Sequence, residues 1–300
     1  MPTPEAAQSH QRRQRVITNA AAQDARRRWA RVDPQAISAS WQRQIPAMTT
    51  VVTGSQYAAA AGADHYTQAA MAETSGPPVA EYAVVASALA GVTADGEPLP
   101  SVLYEPVITA LSAIKKGEPV GRALASGYAQ LDMIVRTEVA DAGRTADQIS
   151  ATTHGAEGFY RVTVPPSCSR CLILAGKWYE WNAGFQRHPR CDCIGVPAPE
   201  ASDLIQSPEQ LYKEMTPEQR TRAGYNEADQ KALALGADLS AVTNIHRGGL
   251  YVAGGKQYTR EGQGRGKRKR PRITPRQIFI EAGSDREEAI RLLRLHNYIR

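Results

Sequence analysis

The sequence predicts a mainly α protein, with a helical N-terminal half, a small α+β cysteine-rich module of zinc-knuckle type and a helical C-terminal extension. Three observations lead there. Alanine is abundant while aromatic residues make up only 6% of the 300, a bias toward helices packed through small side chains. Apolar residues recur at three- and four-residue steps through the N-terminal half, with no sustained period-two alternation. All four cysteines fall between Cys168 and Cys193, so one short segment must carry its own chemistry. The expected division is 1–117, 118–200 and 201–300. A hydrophobic fraction of 42% is enough for a real core, and the length suits two ordinary domains or one with helical extensions.

Residues 5–32 form a helix with a thin stripe of Val16, Ile17, Ala20, Ala25, Trp29 and Val32. It ends at Asp33-Pro34, because the residue before proline is pushed out of the helical region. Further helices are expected over 37–47, 55–73, 81–90 and 104–115, with Thr74-Ser75-Gly76-Pro77-Pro78 as a breaker. Lys116-Gly117-Glu118-Pro119 opens the strongest helix. Its apolar face runs Val120, Leu124, Tyr128, Leu131, Val135, Val139, Ala142, Ala146 and Ile149. Phe159 to Val164 is aromatic and β-branched and is stopped by Pro165-Pro166, which reads as a strand. Leu172–Tyr179 and Ile194–Pro197 are expected to join it. The aromatic residues Trp178, Tyr179, Trp181 and Phe185 supply the core of this module.

Beyond Pro197, Ser207-Pro208, Thr216-Pro217 and Thr274-Pro275 each place a hydroxyl cap before a proline, with Gln at the third helical position. Ser284-Asp285-Arg286-Glu287 is a fourth capping box. Helices are therefore expected to begin near 208, 217, 275 and 285. Residues 247–272, rich in glycine and basic residues, read as a flexible loop.

Cys168 and Cys171 have the spacing of a metal knuckle, and His188, Cys191 and Cys193 offer three more ligands. A structural zinc takes four Cys or His ligands in tetrahedral geometry, so one of the five is spare. The expected set is Cys168, Cys171 and Cys191 with Cys193 or His188. Two disulfides, or simply buried thiols, are the alternatives; a reducing assembly compartment and the lack of a secretion signal at the start weigh against disulfides.

The knuckle, the apolar stretch ending in Ala175-Gly176-Lys177, and His188-Pro189-Arg190-Cys191-Asp192-Cys193 before Val196-Pro197 resemble the C-terminal region of phage Mu F-like minor head proteins. Arg136-Thr137-Glu138 on the long helix resembles the Arg-Thr-Glu element that precedes the cysteines in that family. The resemblance covers about residues 118–200. Just before the knuckle this chain reads Arg161-Val162-Thr163-Val164-Pro165-Pro166-Ser167, where the family often has a Trp and an Asp. The resemblance implies a minor capsid protein associated with the portal, acting in head morphogenesis in the host cytoplasm and residing inside the virion. It also implies a structural role for Arg136 and Glu138.

The net charge of +6 is unevenly placed. Residues 260–276 carry eight Arg or Lys against one Glu, residues 10–31 carry seven Arg against one Asp, and the remainder is acidic at −7. Arg265, Lys267, Arg268, Lys269, Arg270 and Arg272 form a cluster expected to track a nucleic-acid backbone without reading bases; a solvated helix face accounts equally for the first patch. Packaged DNA is thus an expected partner beside portal and capsid proteins. The cluster is not a P-loop, because Glu261 stands where the first glycine would be. No nucleophile elbow, zincin helix or dinucleotide fingerprint occurs in the sequence, so a non-enzymatic protein is expected. A zinc-containing nucleic-acid-binding protein is the alternative, with a capsid maturation protease behind it. The most apolar run, Ala83–Val92, is too short for a bilayer, which needs about 20 residues.

Overall fold

The computed structural model describes residues 4–76, 80, 82–163, 167–185, 187, 191, 193–200, 207–263 and 270–299. It is mainly α, with two three-stranded antiparallel sheets among the described residues. The chain forms two compact units, Met1–Val162 with Lys177–Ile205 and Thr163–Gly176 with Gln206–Arg300.

The first unit is built on six helices: α1 (Glu5–Trp29), α2 (Ile37–Gln42), α3 (Ile45–Ala60), α4 (Ala63–Thr74), α5 (Leu99–Lys115) and α6 (Val120–Thr153). α6 packs against α1, α3, α4 and α5. Its face from Leu131 through Val135 and Val139 is fully buried with Leu103 and Val107 of α5 and Met48 and Val52 of α3. Two tryptophans seal this core edge to face, with ring centroids 4.9 Å apart. Each satisfies its indole N–H on a carbonyl, Trp41 on Leu103 at 2.7 Å and Trp29 on Leu124 at 3.0 Å. α6 approaches closely enough that a Cβ at Gly127 would lie 2.6 Å from the Trp29 ring and 2.7 Å from the Pro106 carbonyl. The first turn of α1 has no local side-chain cap. The carboxylate of Glu73 serves instead, accepting from the backbone N–H groups of Glu5 and Ala6 at 2.8 Å each, where a helix leaves donors unpaired and positive potential exposed.

The same unit carries a sheet of β1 (Gly158–Val162), β2 (Trp178–Glu180) and β3 (Ile194–Pro197), in the order β2-β1-β3. Tyr160 faces Trp178 on one side, and Arg161 pairs with Gly195 on the other. All five residues of central β1 are buried. Tyr160, Val162, Ile194 and Val196 pack with Ala7 of α1 and with Tyr66 and Ala70 of α4, and the Tyr66 hydroxyl donates to the Gly195 carbonyl at 2.7 Å.

The second unit begins with α7 (Ser169–Leu172), a single turn. It continues with α8 (Pro208–Glu214), α9 (Pro217–Ala223), α10 (Glu227–Ala234) and α11 (Leu239–Thr243). A sheet of β4 (Leu250–Ala253), β5 (Lys256–Gln263) and β6 (Arg270–Ile273) follows, then α12 (Pro275–Ala282) and α13 (Arg286–Leu295). Ser207, Thr216 and Thr274 cap α8, α9 and α12 as expected, each accepting from the N–H of the Gln three residues on. At α13 the cap is Asp285 rather than Ser284; its carboxylate accepts from the N–H groups of both Glu287 and Glu288. Leu172, Tyr212, Tyr225, Ile245, Ile278, Leu293 and Tyr298 are buried together in this unit's core.

Four expectations need correction. The helix expected over 37–47 is interrupted at Arg43-Gln44, and that expected over 55–73 breaks at Ala61-Gly62, because α3 runs through the gap between them and accommodates the β-branched Val51, Val52 and Thr53 and the open Gly54. Within 81–90 the described helical structure is one 3₁₀ turn, Ala86–Leu89. Leu172–Tyr179 is not one strand: Cys168 caps α7, Gly176 turns the chain at φ +74, and β2 starts only at Trp178. The basic loop is largely an antiparallel sheet, in which Tyr251 and Tyr258 pair across β4 and β5 with ring centroids 5.3 Å apart. Those aromatics are the cross-strand signal that its glycine and lysine content masks. Two caps, Asn226 before α10 and Asp238 before α11, mark helices the sequence reading passed over.

Gly127→Ala pushes a methyl group into Trp29 and the Pro106 carbonyl. It is expected to destabilise the first unit by about 1–3 kcal/mol, read as a lowered denaturant midpoint in tryptophan fluorescence; an unchanged midpoint would show that α5 and α6 separate freely.

Candidate metal centre

The knuckle is shaped by the backbone of α7. Cys168 is its N-cap, in extended conformation, and its sulfur accepts from the Cys171 N–H at 3.5 Å. That turn brings the two sulfurs to 3.5 Å. Leu172, next in sequence, is buried in the core that includes Tyr212 and Tyr225 and fixes the turn from behind. Cys191 and Cys193 lead into β3, and both are buried.

Cys168 and Cys171 lie in the second unit and Cys191 and Cys193 in the first. Cys171, Cys191 and Cys193 are buried thiols that could hold a metal ion, and Cys168 stands beside Cys171 as a further donor. None of the four cysteines forms a disulfide. The 3.5 Å between Cys168 and Cys171 is far from a bonded S–S length of about 2.05 Å. It is near the edge of a tetrahedron of sulfurs around zinc, about 3.8 Å for a metal–sulfur distance of about 2.3 Å. The donor set therefore fits a thiolate-binding ion. His188 lies outside the described residues.

Arg161 is the residue that sequence reasoning missed. It sits on central β1 at 2% exposure. Its Nε donates to Cys193 Sγ at 3.3 Å, its Nη2 reaches Cys191 Sγ at 3.8 Å, and its guanidinium lies 4.5 Å from the centre of the Phe185 ring. A guanidinium this deep is costly unless negative charge meets it. Thiolates do so, and N–H···S bonds of this kind orient metal ligands and moderate their charge. The signal was a lone arginine inside an otherwise apolar strand, two residues past Phe159.

Arg136, on α6, bonds Asp132 at 2.9 Å and reaches Asn19 of α1 at 2.7 Å, so it ties two helices together. Glu138 is different. Its Oε2 is buried with no hydrogen-bond partner. Burial raises its pKa above the usual carboxylate range; the Ala94 N–H partly offsets this, and Asp141 and Asp95 add repulsion. The expected basic cluster is only partly described. Arg265, Lys267, Arg268 and Lys269 lie outside the described residues, as does the side chain of Arg270, whose backbone is in β6. Arg272 is described and turned inward. It donates to the carbonyls of His296 at 2.8 Å and Asn297 at 2.7 Å and stacks over Tyr298, which corrects its assignment as a phosphate contact. His154 sits in a buried network in which the Ser150 hydroxyl donates to Asp64 at 2.7 Å and the ring Nδ1 donates to the Ser150 carbonyl at 2.8 Å. The serine proton thus goes to a carboxylate and not to the imidazole. His246 lies 3.8 Å from buried Asp229, whose carboxylate raises its pKa.

A family model described as VG15 protein matches residues 1–217. The chain belongs to the VG15 protein family. This is a family of viral gene proteins. The VG15 match takes in α1–α6, the first sheet, all four cysteines and α8, and it leaves β4–β6 outside. No curated protein and no solved structure matches the chain. No helix among the described residues is long and apolar enough to cross a membrane.

Two outcomes follow from this geometry. Elemental analysis of the reduced, purified protein is expected to find about one zinc per chain, lost together with thermal stability in Cys171→Ser; metal-free protein of undiminished stability would leave only buried thiols. For Glu138 the folded pKa lies above the unfolded one, so the stability tied to its protonated form is lost as pH rises through the folded value. Glu138→Gln is therefore expected to raise the unfolding midpoint at pH 7 and to leave it unchanged near pH 3, below the ordinary carboxylate range of about 4.3.

Proposed function

We propose that the chain is a minor head protein of a tailed phage, portal-associated and acting in head morphogenesis, with a non-enzymatic, structural role. The observation that carries the reading is the two-part pattern inside the family match: Arg136-Thr137-Glu138 on the long helix, then Cys168-x2-Cys171 and His188-x2-Cys191-x-Cys193. Membership in a viral gene family supports it, and so does a cysteine group suited to stabilising a small sheet with a zinc ion. In this reading the ion is structural. Thiolates of Cys168, Cys171, Cys191 and Cys193, or His188 in place of one of them, hold it, and Arg161 keeps the Cys191 and Cys193 sulfurs oriented.

Mass spectrometry of gradient-purified particles tests the proposal. The chain should be found in heads at a few copies each and be absent from isolated tails; particles without it would overturn the reading.

A nucleic-acid-binding zinc protein is the second reading, favoured by the basic run between Arg265 and Arg270. Purified protein alone should then bind DNA with a log affinity that falls linearly with log salt. Replacing Arg265, Lys267, Arg268, Lys269 and Arg270 by Gln should flatten that slope, whereas Arg272→Gln should instead lower stability.

A further inference from the structure

The first unit carries a partly open pocket of about 300 Å³ whose wall includes Arg144, Asp147 and Gln148 of α6 with Phe159, Phe185 and Arg187. Arg187 is partly buried, its guanidinium 4.3 Å from the centre of the Phe185 ring, and its buried Nε has no hydrogen-bond partner. Arg144 is itself paired with Asp141 at 2.9 Å. Asp147 gives one carboxylate oxygen to His10 at 2.9 Å, and its other oxygen is buried and unpartnered. A partly buried guanidinium with an open, buried Nε, on the same pocket wall as a second guanidinium, is an arrangement that an oxyanion relieves, since a planar fork matches carboxylate and phosphate oxygens.

We propose that this cavity binds a small flat organic oxyanion, a carboxylate or a phosphate monoester, with its head at Arg187 and Arg144 and its body against Phe159 and Phe185. The size is that of a small-ligand pocket and exceeds what an inorganic anion fills. The open oxygen of Asp147 favours ligands whose body also carries a hydroxyl or amino donor. The proposal stands apart from the identity of any metal.

Isothermal titration of the full-length chain with benzoate, phenyl phosphate and neutral benzamide tests it. At least one anion should bind saturably at one site and benzamide should not, and whichever anion binds separates a carboxylate from a phosphate ligand. Arg187→Gln should weaken binding by about tenfold or more, as loss of a charged hydrogen bond does, and Arg187→Lys should fall between. Circular dichroism and the thermal midpoint establish that each variant is folded; if Arg187→Gln is not, Arg144→Gln takes its place. Benzamide binding as tightly as the anions, no saturable binding by either anion, or an unchanged affinity in the folded Gln variant would overturn the proposal.

Discussion

The first unit depends on one continuous surface, the apolar face of α6. At 34 residues the helix is about 51 Å long, so it can offer separate stretches to separate partners. Around Leu131, Val135 and Val139 it buries against α3 and α5, with Trp29 of α1 closing the contact. Further along, Ala146 packs with Ala60 and Ala63, where only small side chains let helices approach. The opposite flank of the same C-terminal stretch carries Arg144, Asp147 and Gln148. One rigid helix thereby sets the spacing between the helical core and the polar groups near the sheet.

Buried charge is the second constraint. Ionisable side chains withdrawn wholly or partly from water in the first unit are met in different ways. His10 and Asp147 pair at 2.9 Å, with the imidazole stacked on Tyr66 at 4.0 Å. Arg161 is held against sulfur. Glu138 and Arg187 retain open atoms. Paired charges cost little net free energy, whereas unmatched ones weigh against the fold. That contrast separates groups that specify the structure from groups that await something else.

The cysteine group follows the same logic. A small three-stranded sheet buries little surface, and its central strand spends one of five positions on arginine. Such a strand is stable only if the guanidinium is met by acceptors, and the sulfurs of Cys193 and Cys191 lie against it at 3.3 and 3.8 Å without adding a carboxylate to the core. Arg161 and the cysteines therefore make sense only together.

The sequence by itself determined the features whose cause is local. The periodicity of Val120 through Ile149 specified α6, the Ser-Pro and Thr-Pro caps specified α8, α9 and α12, and Cys-x2-Cys specified a turn that brings two sulfurs together. Each follows from a few consecutive residues and the geometry of one element. What only tertiary structure decided is everything that couples distant residues. The break near Gly62, the approach of Arg161 to Cys191 and Cys193, the turn of Arg272 toward the carbonyls of His296 and Asn297, and the burial of Arg161 all rest on contacts that no local window contains. The basic strands show the limit plainly: β5 and β6 are held by their pairing across the sheet, and a glycine-rich, cationic segment gains order from its partner strand and not from its own composition.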